Sequence, residues 1–325
     1  QIARMQGILP LLLLPLSQAA DGNPIAGNWT ADAGASQTVV VVTYNLYWWC
    51  VSDEYGTCPQ NADGKGFAKL YSRLLQNGPF DLIGFQECDN AGQIISGTSL
   101  SSSFGYFSAP QGNDAPMAWN LNKFKVLEGP GVQWVAKDKY GDRHVNWVRL
   151  QVIGSSDTIL FANTHGPLDQ CGGKPGSTVA TNYINAINQH KKPKDMVIFT
   201  GDFNCGSNQD TIKDLSQVFK LDATDSSYNG ADHIFSSSGV SVLWKYAGDG
   251  SPSDHQLLKA VLSLGDPSPS TCQVAPPHNG GCCSSCRFNH YCPSNKGCYA
   301  TGQSGCAGGY CPAPAKEELD VELVV

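Results

Sequence analysis

The chain has 325 residues, of which 41% are hydrophobic and 15% charged, and its formal net charge is −7 at pH 7. This length suffices for one large domain, or for one domain with an appendix. No stretch of five lysines or arginines occurs, which argues against a purely electrostatic binder of nucleic acid but does not exclude a nuclease that holds phosphate through a bound metal.

The N-terminal segment has the form of a secretory signal peptide over residues 1–19. Its apolar run Ile8–Leu16 has nine residues, whereas a membrane span needs roughly 20, and small residues follow up to Ala20, as at a signal cleavage site. A disordered terminus is the alternative. Residues 20–37 are predicted to be a flexible segment with a glycosylation sequon at Asn28, so we expect a secreted, extracellular protein.

Strand and helix patterns then alternate, which predicts an α/β domain over residues 38–265. Apolar and β-branched runs predict strands, and these cover residues 38–49, 80–87, 147–154, 158–166, 195–204, 231–235, 241–248 and 255–264. Apolar residues at helical spacing predict helices over residues 64–78, 177–192 and 211–219.

A cysteine-rich module is predicted at residues 272–312, after a Pro/Ser linker at 266–271 and before an acidic tail at 313–325. Eight of the 13 cysteines lie in this module, a density typical of a small segment stapled by disulfides. Zinc binding through the pair Cys283 and Cys286 is the alternative. The module is a candidate binding site for a lipid or glycan surface.

Polar side chains suited to metal binding or proton transfer occur where several predicted strands begin or end. They are Asn45, Glu87, His165, Asp202, Asn204, Asp232, Asp254 and His255. A single buried Asn or His is usually a satisfied hydrogen-bonding group. Eight such polar residues at strand ends are difficult to explain by packing alone. Carboxylates near a core without a compensating charge destabilise the fold by on the order of several kcal/mol. A divalent cation would offset that cost.

These strand ends carry six motifs in a fixed order, and the set resembles the endonuclease/exonuclease/phosphatase superfamily, the deoxyribonuclease I-like fold. The motifs are TYNLYW, LIGFQECD, NTHG, TGDFN, ADHIF and SDH. The resemblance implies two packed, mostly antiparallel or mixed β-sheets flanked by helices in a four-layer sandwich. It also implies an active site at the strand ends that hydrolyses phosphate esters with Mg²⁺, or with Mn²⁺ or Ca²⁺.

The same resemblance suggests a role for each residue. The metal ligands would be Glu87, Asn45 and Asp254, with Asn45 and Asp254 either ligating or orienting. Asp202 would align the attacking water, and Asn204, two residues along the same strand face, would hold a phosphate oxygen. His255, polarised by Asp232, would act as general base or stabilise charge, and His165 would protonate the leaving oxygen or stabilise the phosphate oxygens.

Two further residues belong to this interpretation. Arg143 lies where the family carries an arginine before a strand, and it is a candidate clamp for phosphate, although a surface charge is the plain alternative. Between the second strand and Arg143 the family has an acidic partner for the first histidine and a nearby tyrosine. Here the segment SAPQGNDAPMAWN, residues 108–120, offers only Asp114 and no tyrosine.

The expected substrate is a phosphodiester, with nucleic acid favoured and the enzyme an endonuclease. The alternative enzyme is a sphingomyelinase-like or other phosphoester hydrolase of the same superfamily. The non-enzymatic alternative is a protein that binds a surface through the cysteine-rich module. The aromatic residues 47–49 suit stacking on bases or sugars, a membrane interface or plain packing. A monomer without a transmembrane segment is expected.

Cysteine positions in the main domain predict two disulfides. Cys50 and Cys58 flank one loop, and Cys171 and Cys205 follow two strands that end at the predicted site. Cys88 is then left as the odd thiol beside Glu87.

Overall fold

The computed structural model describes residues 37–51, 58, 66–88, 91–96, 98–108 and 113–265, and the short stretches 291–292 and 297–298. The predicted signal peptide, the sequon, the linker and the acidic tail lie outside the described residues. So does most of the cysteine-rich module, apart from the short stretches named above.

The described strands of the main domain form two mixed six-stranded sheets. The first sheet contains β1 (Gln37–Asn45), β2 (Leu82–Gln86), β3 (Phe104–Phe107), β4 (Met117–Asn120), β11 (Val240–Gly248) and β12 (Leu257–Leu264). The second contains β5 (Phe124–Asp138), β6 (Gly141–Val152), β7 (Thr158–His165), β8 (Asp195–Asp202), β9 (Lys220–Thr224) and β10 (Asp232–Ser236). Two-residue strands β13 (Tyr291–Cys292) and β14 (Gly297–Cys298) pair with each other in the cysteine-rich module.

Both sheets place one parallel strand pair among antiparallel neighbours. Their spatial orders are β11–β12–β1–β2–β4–β3 and β5–β6–β7–β8–β10–β9. The parallel pairs are β1 with β2 and β7 with β8, and all other pairings in the two sheets are antiparallel.

Helices cover the outer faces of both sheets. The first sheet packs against α1 (Trp48–Val51), α2 (Gly66–Gln76) and α3 (Ala91–Ser96), and the second against α4 (Gly173–His190) and α5 (Asp210–Leu215). A third apolar cluster lies between the sheets and includes Val41, Leu82, Phe161, Ile198 and Leu262, all fully buried. These layers confirm the predicted four-layer sandwich.

Two element boundaries differ from the sequence prediction at the site. The strand expected over residues 38–49 ends at Asn45, because Tyr47 has a φ of 62° and the short helix α1 follows. The strand expected over residues 195–204 ends at Asp202, and Asn204 has a φ of 53°. Left-handed backbone at a residue with a side chain interrupts the extended conformation. The sequence patterns also missed the strands β3, β4, β5 and β9.

A lysine is buried on the outer face of the first sheet. Lys259 of β12 is only 9% exposed, and its Nζ donates hydrogen bonds to the carbonyl oxygens of Asn77 at 2.5 Å and Gly78 at 3.4 Å. The ammonium lies 5.7 Å from the centre of the Phe80 ring. Burial lowers the pKa of Lys259 from 10.5 to about 8, although Asp81 opposes the change.

The lowered pKa of Lys259 should make the protein more stable in alkaline solution. Between pH 8 and 10.5 the unfolded chain keeps this proton while the folded chain releases it, so stability rises with pH in that window. We expect the free energy of unfolding to rise by up to about 3 kcal/mol across it, relative to Lys259→Met. Urea denaturation of both proteins at a series of pH values measures the difference, and parallel curves would contradict the assignment.

Candidate active site

The predicted site residues meet at the carboxyl ends of the two parallel strand pairs. Asn45 and Glu87 belong to the ends of β1 and β2, and His165 pairs with Asp202 at the ends of β7 and β8. Parallel strands end side by side at one sheet edge, whereas antiparallel strands alternate. The antiparallel strand β10 adds Asp232, which lies directly opposite Asp202.

The amide of Asn45 connects the two sheets within the site. Its Nδ2 donates to Glu87 Oε1 at 3.1 Å and to Asp202 Oδ2 at 2.9 Å, and it lies 3.5 Å from His255 Nε2. Its Oδ1 accepts the backbone N–H of Tyr47 at 2.9 Å. Asn45 therefore orients two carboxylates in this structure, and its own oxygen, the atom that would ligate a metal, is held by Tyr47.

Glu87 is the most accessible of the central carboxylates. It follows β2 with a φ of 55°, and its Oε2 accepts the backbone N–H of Trp48 at 2.7 Å. Left-handed backbone at such residues costs about 1–3 kcal/mol and persists only where the surroundings enforce it. Here the hydrogen bonds from Asn45 and Trp48 hold the carboxylate toward Asp202.

Two Asp–His pairs face the carboxylate of Asp202. His165 Nδ1 lies 2.7 Å from Asp114 Oδ2, and His255 Nδ1 lies 2.8 Å from Asp232 Oδ2. The Nε2 atoms of the two imidazoles are 3.9 and 3.6 Å from Asp202 Oδ2. Because each Nδ1 is engaged by a carboxylate, each Nε2 is directed into the site.

The electrostatics of this group favour a protonated His165 and place one proton on the His255–Asp232 pair, because burial raises the pKa of Asp232 well above its ordinary value. Burial lowers the pKa of His165, but Asp114 and then Asp202 outweigh burial and raise it to about 9. Burial also lowers the pKa of His255, but the hydrogen bond to Asp232 and the charge of Asp202 raise it to about 10. Burial alone would raise the pKa of Asp202, yet the two histidines lower it below its ordinary value.

Arg143 lies behind the His165–Asp114 pair. Its side chain is buried, its Nε donates to Asp138 Oδ2 at 2.9 Å, and its Nη1 lies 3.6 Å from Asp114 Oδ2. Nη1 is also 3.2 Å from His165 Nδ1, but the hydrogen on Nδ1 points to Asp114, its closer neighbour. These contacts suit an arginine that positions Asp114. Direct contact with phosphate stays a prediction.

Asn204 is placed differently from the expectation that it shares a strand face with Asp202. The strand ends at Asp202, and Phe203 turns into the core with no exposed surface. The backbone N–H of Asn204 donates to Asp202 Oδ1 at 2.7 Å, and its Nδ2 donates to the carbonyl of Gly166 at 2.9 Å. Its amide therefore joins the loops after β7 and β8 in this structure.

Asp254 lies to one side of the central group. Among the described residues, the acid and histidine atoms that lie within 4.8 Å of one another form two sets, and neither contains Asp254. Its Oδ2 accepts the hydroxyl of Tyr228, and its buried Oδ1 has no hydrogen-bond partner. The orienting role foreseen for Asp254 is compatible with this position, but ligation stays a prediction.

A layer of buried amides and hydroxyls supports the site from below. Asn163 of β7 donates to the carbonyl oxygens of Phe85, Ala115 and Pro116, and its Oδ1 accepts from Gln86 and Thr200. The sheets approach so closely that a Cβ on Gly84 would lie 2.3 Å from that Oδ1. Sequence reasoning missed Asn163, although an asparagine inside the apolar run of β7 is a usable signal.

A pair of asparagines holds the loop that carries Asp114. Asn113 and Asn146 exchange hydrogen bonds of 2.6 and 3.1 Å, and Asn146 Nδ2 also donates to the carbonyl of Ala115 at 2.6 Å. Both side chains are buried. Sequence reasoning missed these residues as well, because Asn146, which lies in β6, is 33 residues away from its partner Asn113.

The central donor set fits a hard divalent cation. Ligand atoms of Glu87, His165 and Asp202 lie within 4.8 Å of one another, and the two carboxylates offer the oxygen donors that Mg²⁺, Mn²⁺ and Ca²⁺ prefer. The protonated His165 is the poorest ligand of the three, because metal binding needs a neutral imidazole. Glu87 and Asp202 are therefore the residues that would hold the ion.

The structure confirms both predicted disulfides. Cys50–Cys58 and Cys171–Cys205 are bonded, with Cα–Cα distances of 4.1 and 5.4 Å, and neither bridge includes Cys88. The second bridge joins the loop after His165 to the loop after Asp202.

Removal of the Cys171–Cys205 bridge should destabilise the protein more than removal of Cys50–Cys58. Their sequence separations are 34 and 8, so loop-closure entropy predicts losses of about 4 and about 2.5 kcal/mol. Replacing each cysteine pair by serine and measuring guanidinium unfolding tests the order. The Cys171→Ser, Cys205→Ser variant should also lose activity, since its bridge joins two loops of the site. Equal stabilities for both variants and the parent would contradict the prediction.

Comparison with known proteins gives a consistent result. The family described as the Endonuclease/Exonuclease/phosphatase family matches residues 42–255, the interval that holds the site residues described above. A search of curated proteins finds no match to this chain. In the described part of the chain, no helix has both the length and the apolar character needed to cross a membrane.

Solved structures with the same fold are distant in sequence. An endonuclease/exonuclease/phosphatase from Bacteroides vulgatus has a TM-score of 0.56 at 19% identity over 70% of this chain and 99% of its own. A mannosyl-6-phosphatase from Bacteroides thetaiotaomicron has a TM-score of 0.51 at 19% identity, over 69% of this chain and 99% of its own. The D. rerio TDP2, complexed with a single strand DNA product, has a TM-score of 0.50 at 15% identity, over 70% and 99%. At these identities the likeness shows the fold alone.

Proposed function

Because this chain belongs to the endonuclease/exonuclease/phosphatase family of phosphoester hydrolases, we propose that it is a secreted, divalent-metal-dependent phosphodiesterase that acts on nucleic acid as an endonuclease. The observation that carries this proposal is the pair of Asp–His couples that both face Asp202, beside the accessible carboxylate of Glu87. Asp202 is a proton acceptor, and His165 and His255 are proton donors. All three lie close enough together to contact a single phosphate group.

The residues of the chain divide the work of hydrolysis. The carboxylate of Asp202, whose pKa is lowered, accepts a hydrogen bond from the attacking water and aligns it. His165 and His255, each held at Nδ1 by an acidic side chain, donate hydrogen bonds from Nε2 to phosphate oxygens. As the water forms the new P–O bond it passes a proton to Asp202, and one of the histidines gives its proton to the leaving oxygen as the ester P–O bond breaks. The two roles foreseen for His255, general base and charge stabilisation, both stay predictions, since Nε2 faces the site in either case.

A divalent cation held by Glu87 and Asp202 would act as a Lewis acid on the phosphate. The chain has a net charge of −7, so binding an anionic substrate needs local positive charge. His165, His255 and the arginine behind His165, Arg143, are paired with carboxylates, so the bound cation would supply most of it.

Secretion is supported by the cysteine chemistry of the described residues. Two disulfides are present in the catalytic domain, and structural disulfides form and persist in oxidising compartments. Expression of the full sequence in a eukaryotic host, followed by assay of cells and medium, tests this part. Retention of the protein inside the cells would contradict it.

A substrate panel tests the catalytic part. Purified protein is assayed with plasmid DNA, RNA, sphingomyelin and inositol phosphates, with added Mg²⁺ or with EDTA. We expect internal cleavage of nucleic acid that EDTA abolishes. Hydrolysis of sphingomyelin alone would transfer the proposal to the lipid branch. Inactivity on every substrate and on bis(p-nitrophenyl) phosphate would favour a binding protein.

A further inference from the structure

A tyrosine that sequence reasoning missed lies over one of the candidate catalytic histidines. The ring of Tyr228 stacks on the imidazole of His255, with ring centres 4.6 Å apart and an angle of 26° between planes. Its hydroxyl donates to Asp254. The ring is thus held by its stacking on His255 and by the hydrogen bond from its hydroxyl to Asp254. It covers a histidine that would face the reacting phosphate.

The backbone around Tyr228 is held in an unfavourable conformation. Tyr228, Asn229 and Gly230 have φ values of 46°, 63° and 81°. Left-handed backbone is routine for glycine but uncommon for tyrosine, and it costs on the order of 1–3 kcal/mol at such residues. A strained tyrosine with no core to fill points to a ligand rather than to packing.

Hydrogen bonds tie this strained turn to the segment that carries His255. The backbone N–H of Gln256 donates to Ser227 Oγ at 2.9 Å, and Gln256 Oε1 accepts the backbone N–H of Ser226 at 2.9 Å. Gly230 N–H closes the turn on the carbonyl of Ser227 at 2.7 Å. The position of Tyr228 relative to His255 is therefore fixed by four neighbouring residues.

The outer face of the Tyr228 ring remains open. The residue is 59% exposed although one face is stacked and its hydroxyl is bonded. A second tyrosine, Tyr47, borders the same region. Burial raises the pKa of Tyr47, and the charges of Asp254 and Glu87 act in the same direction.

We propose that the open face of Tyr228 stacks on a planar ring of the substrate beside the reacting phosphate, so that the substrate is a phosphodiester bearing aromatic bases. This inference rests on the proposed function, and it adds the residue that would contact a base of the nucleic acid. Stacking of a base on an aromatic side chain tolerates any base sequence, because every base has a π-face. A mannose phosphate or a lipid headgroup has no planar ring to offer.

The test compares two substrates that differ only in their bases. One is a single-stranded thymidine oligonucleotide and the other is an oligonucleotide of equal length built from abasic tetrahydrofuran units. Tyr228→Asn removes the ring and suits the left-handed backbone, because asparagine tolerates it. Tyr228→Leu is a second variant without the ring, and Tyr228→Phe keeps the ring but loses the bond to Asp254. Tyr140→Leu is the matched control, since Tyr140 is 71% exposed in the β5–β6 turn.

We expect the parent to prefer the thymidine substrate in kcat/KM, and Tyr228→Asn to lower that preference by roughly 5- to 100-fold, from the strength of base–aromatic stacking. The loss should appear mainly in KM, because the stacked ring is equally bound in ground and transition states. Tyr228→Phe and Tyr140→Leu should keep the preference.

Other outcomes separate this inference from the function on which it rests. An equal fall of kcat on both substrates would show that Tyr228 only positions His255, and it would overturn the inference alone. No preference in the parent would also overturn it. Failure of the parent to hydrolyse any diester, bis(p-nitrophenyl) phosphate included, would overturn the proposed function first.

Discussion

Replacing His255 or His165 with alanine should lower kcat on a phosphodiester at least about 100-fold, the lower range for groups that transfer protons. Each imidazole presents Nε2 to Asp202 and is held by its own carboxylate, at 2.7 Å for His165 and 2.8 Å for His255. Loss of either ring removes a hydrogen-bond donor from the phosphate and leaves Asp114 or Asp232 without its partner. Steady-state kinetics on bis(p-nitrophenyl) phosphate at saturating Mg²⁺ measures the effect.

His190→Gln is the control for both substitutions. His190 ends α4 on the far side of the second sheet, stacks on Trp147 with ring centres 3.9 Å apart, and has a pKa lowered by burial. At that end of α4 the residue is remote from Asp202. Its substitution should leave kcat unchanged at some loss of stability. Activity of His165→Ala equal to the parent, with metal still required, would remove His165 from the mechanism.

Glu87→Gln should lower kcat/KM by about 1,000-fold at a fixed low concentration of Mg²⁺, because the Lewis-acid contribution of a metal amounts to several kcal/mol. Glutamine keeps the size of the side chain and can still accept the backbone N–H of Trp48, so the fold should survive. Only the negative charge that a hard cation prefers is lost. Part of the activity should return as Mg²⁺ is raised.

The metal titration separates a ligand from a residue that merely orients. The concentration of Mg²⁺ for half-maximal rate should rise strongly in Glu87→Gln and little in His255→Ala. Isothermal titration of Mg²⁺ into both proteins provides a second readout that does not depend on turnover. An unchanged metal requirement in Glu87→Gln would assign the cation to other residues.

Strand ends were predictable because two local signals coincide there. A run such as MVIFTG is recognisable as a buried strand, and a polar residue directly after it can only lie at the sheet edge. That reasoning brought Asn45, Glu87, His165 and Asp202 together, and the structure places them in contact. It extended β8 two residues too far. The alternation of polar and apolar residues continues through Phe203 to Asn204, but the backbone leaves the strand after Asp202.

Other features depend on long-range contacts that leave no local pattern. The 15-residue strand β5 carries Gly and Pro and is mostly half-exposed or exposed, so it shows neither an apolar run nor clean alternation. Asp114 becomes the partner of His165 only through the Asn113–Asn146 pair, which joins a loop to a strand. Tyr228 is positioned by its own hydrogen bond to Asp254, 26 residues onward, and by the bond between its neighbour Ser227 and Gln256.

The division of the site between the sheets has a consequence for partial unfolding. Asn45 and Glu87 come from one sheet and His165, Asp202 and Asp232 from the other, so neither sheet holds a working constellation alone. A subglobal opening in which the sheets separate while each keeps its ladders would exchange few strand amides and change circular dichroism little. It would still separate Asn45 from Asp202. Enzymatic turnover is therefore a more sensitive gauge of sheet docking than any probe of secondary structure.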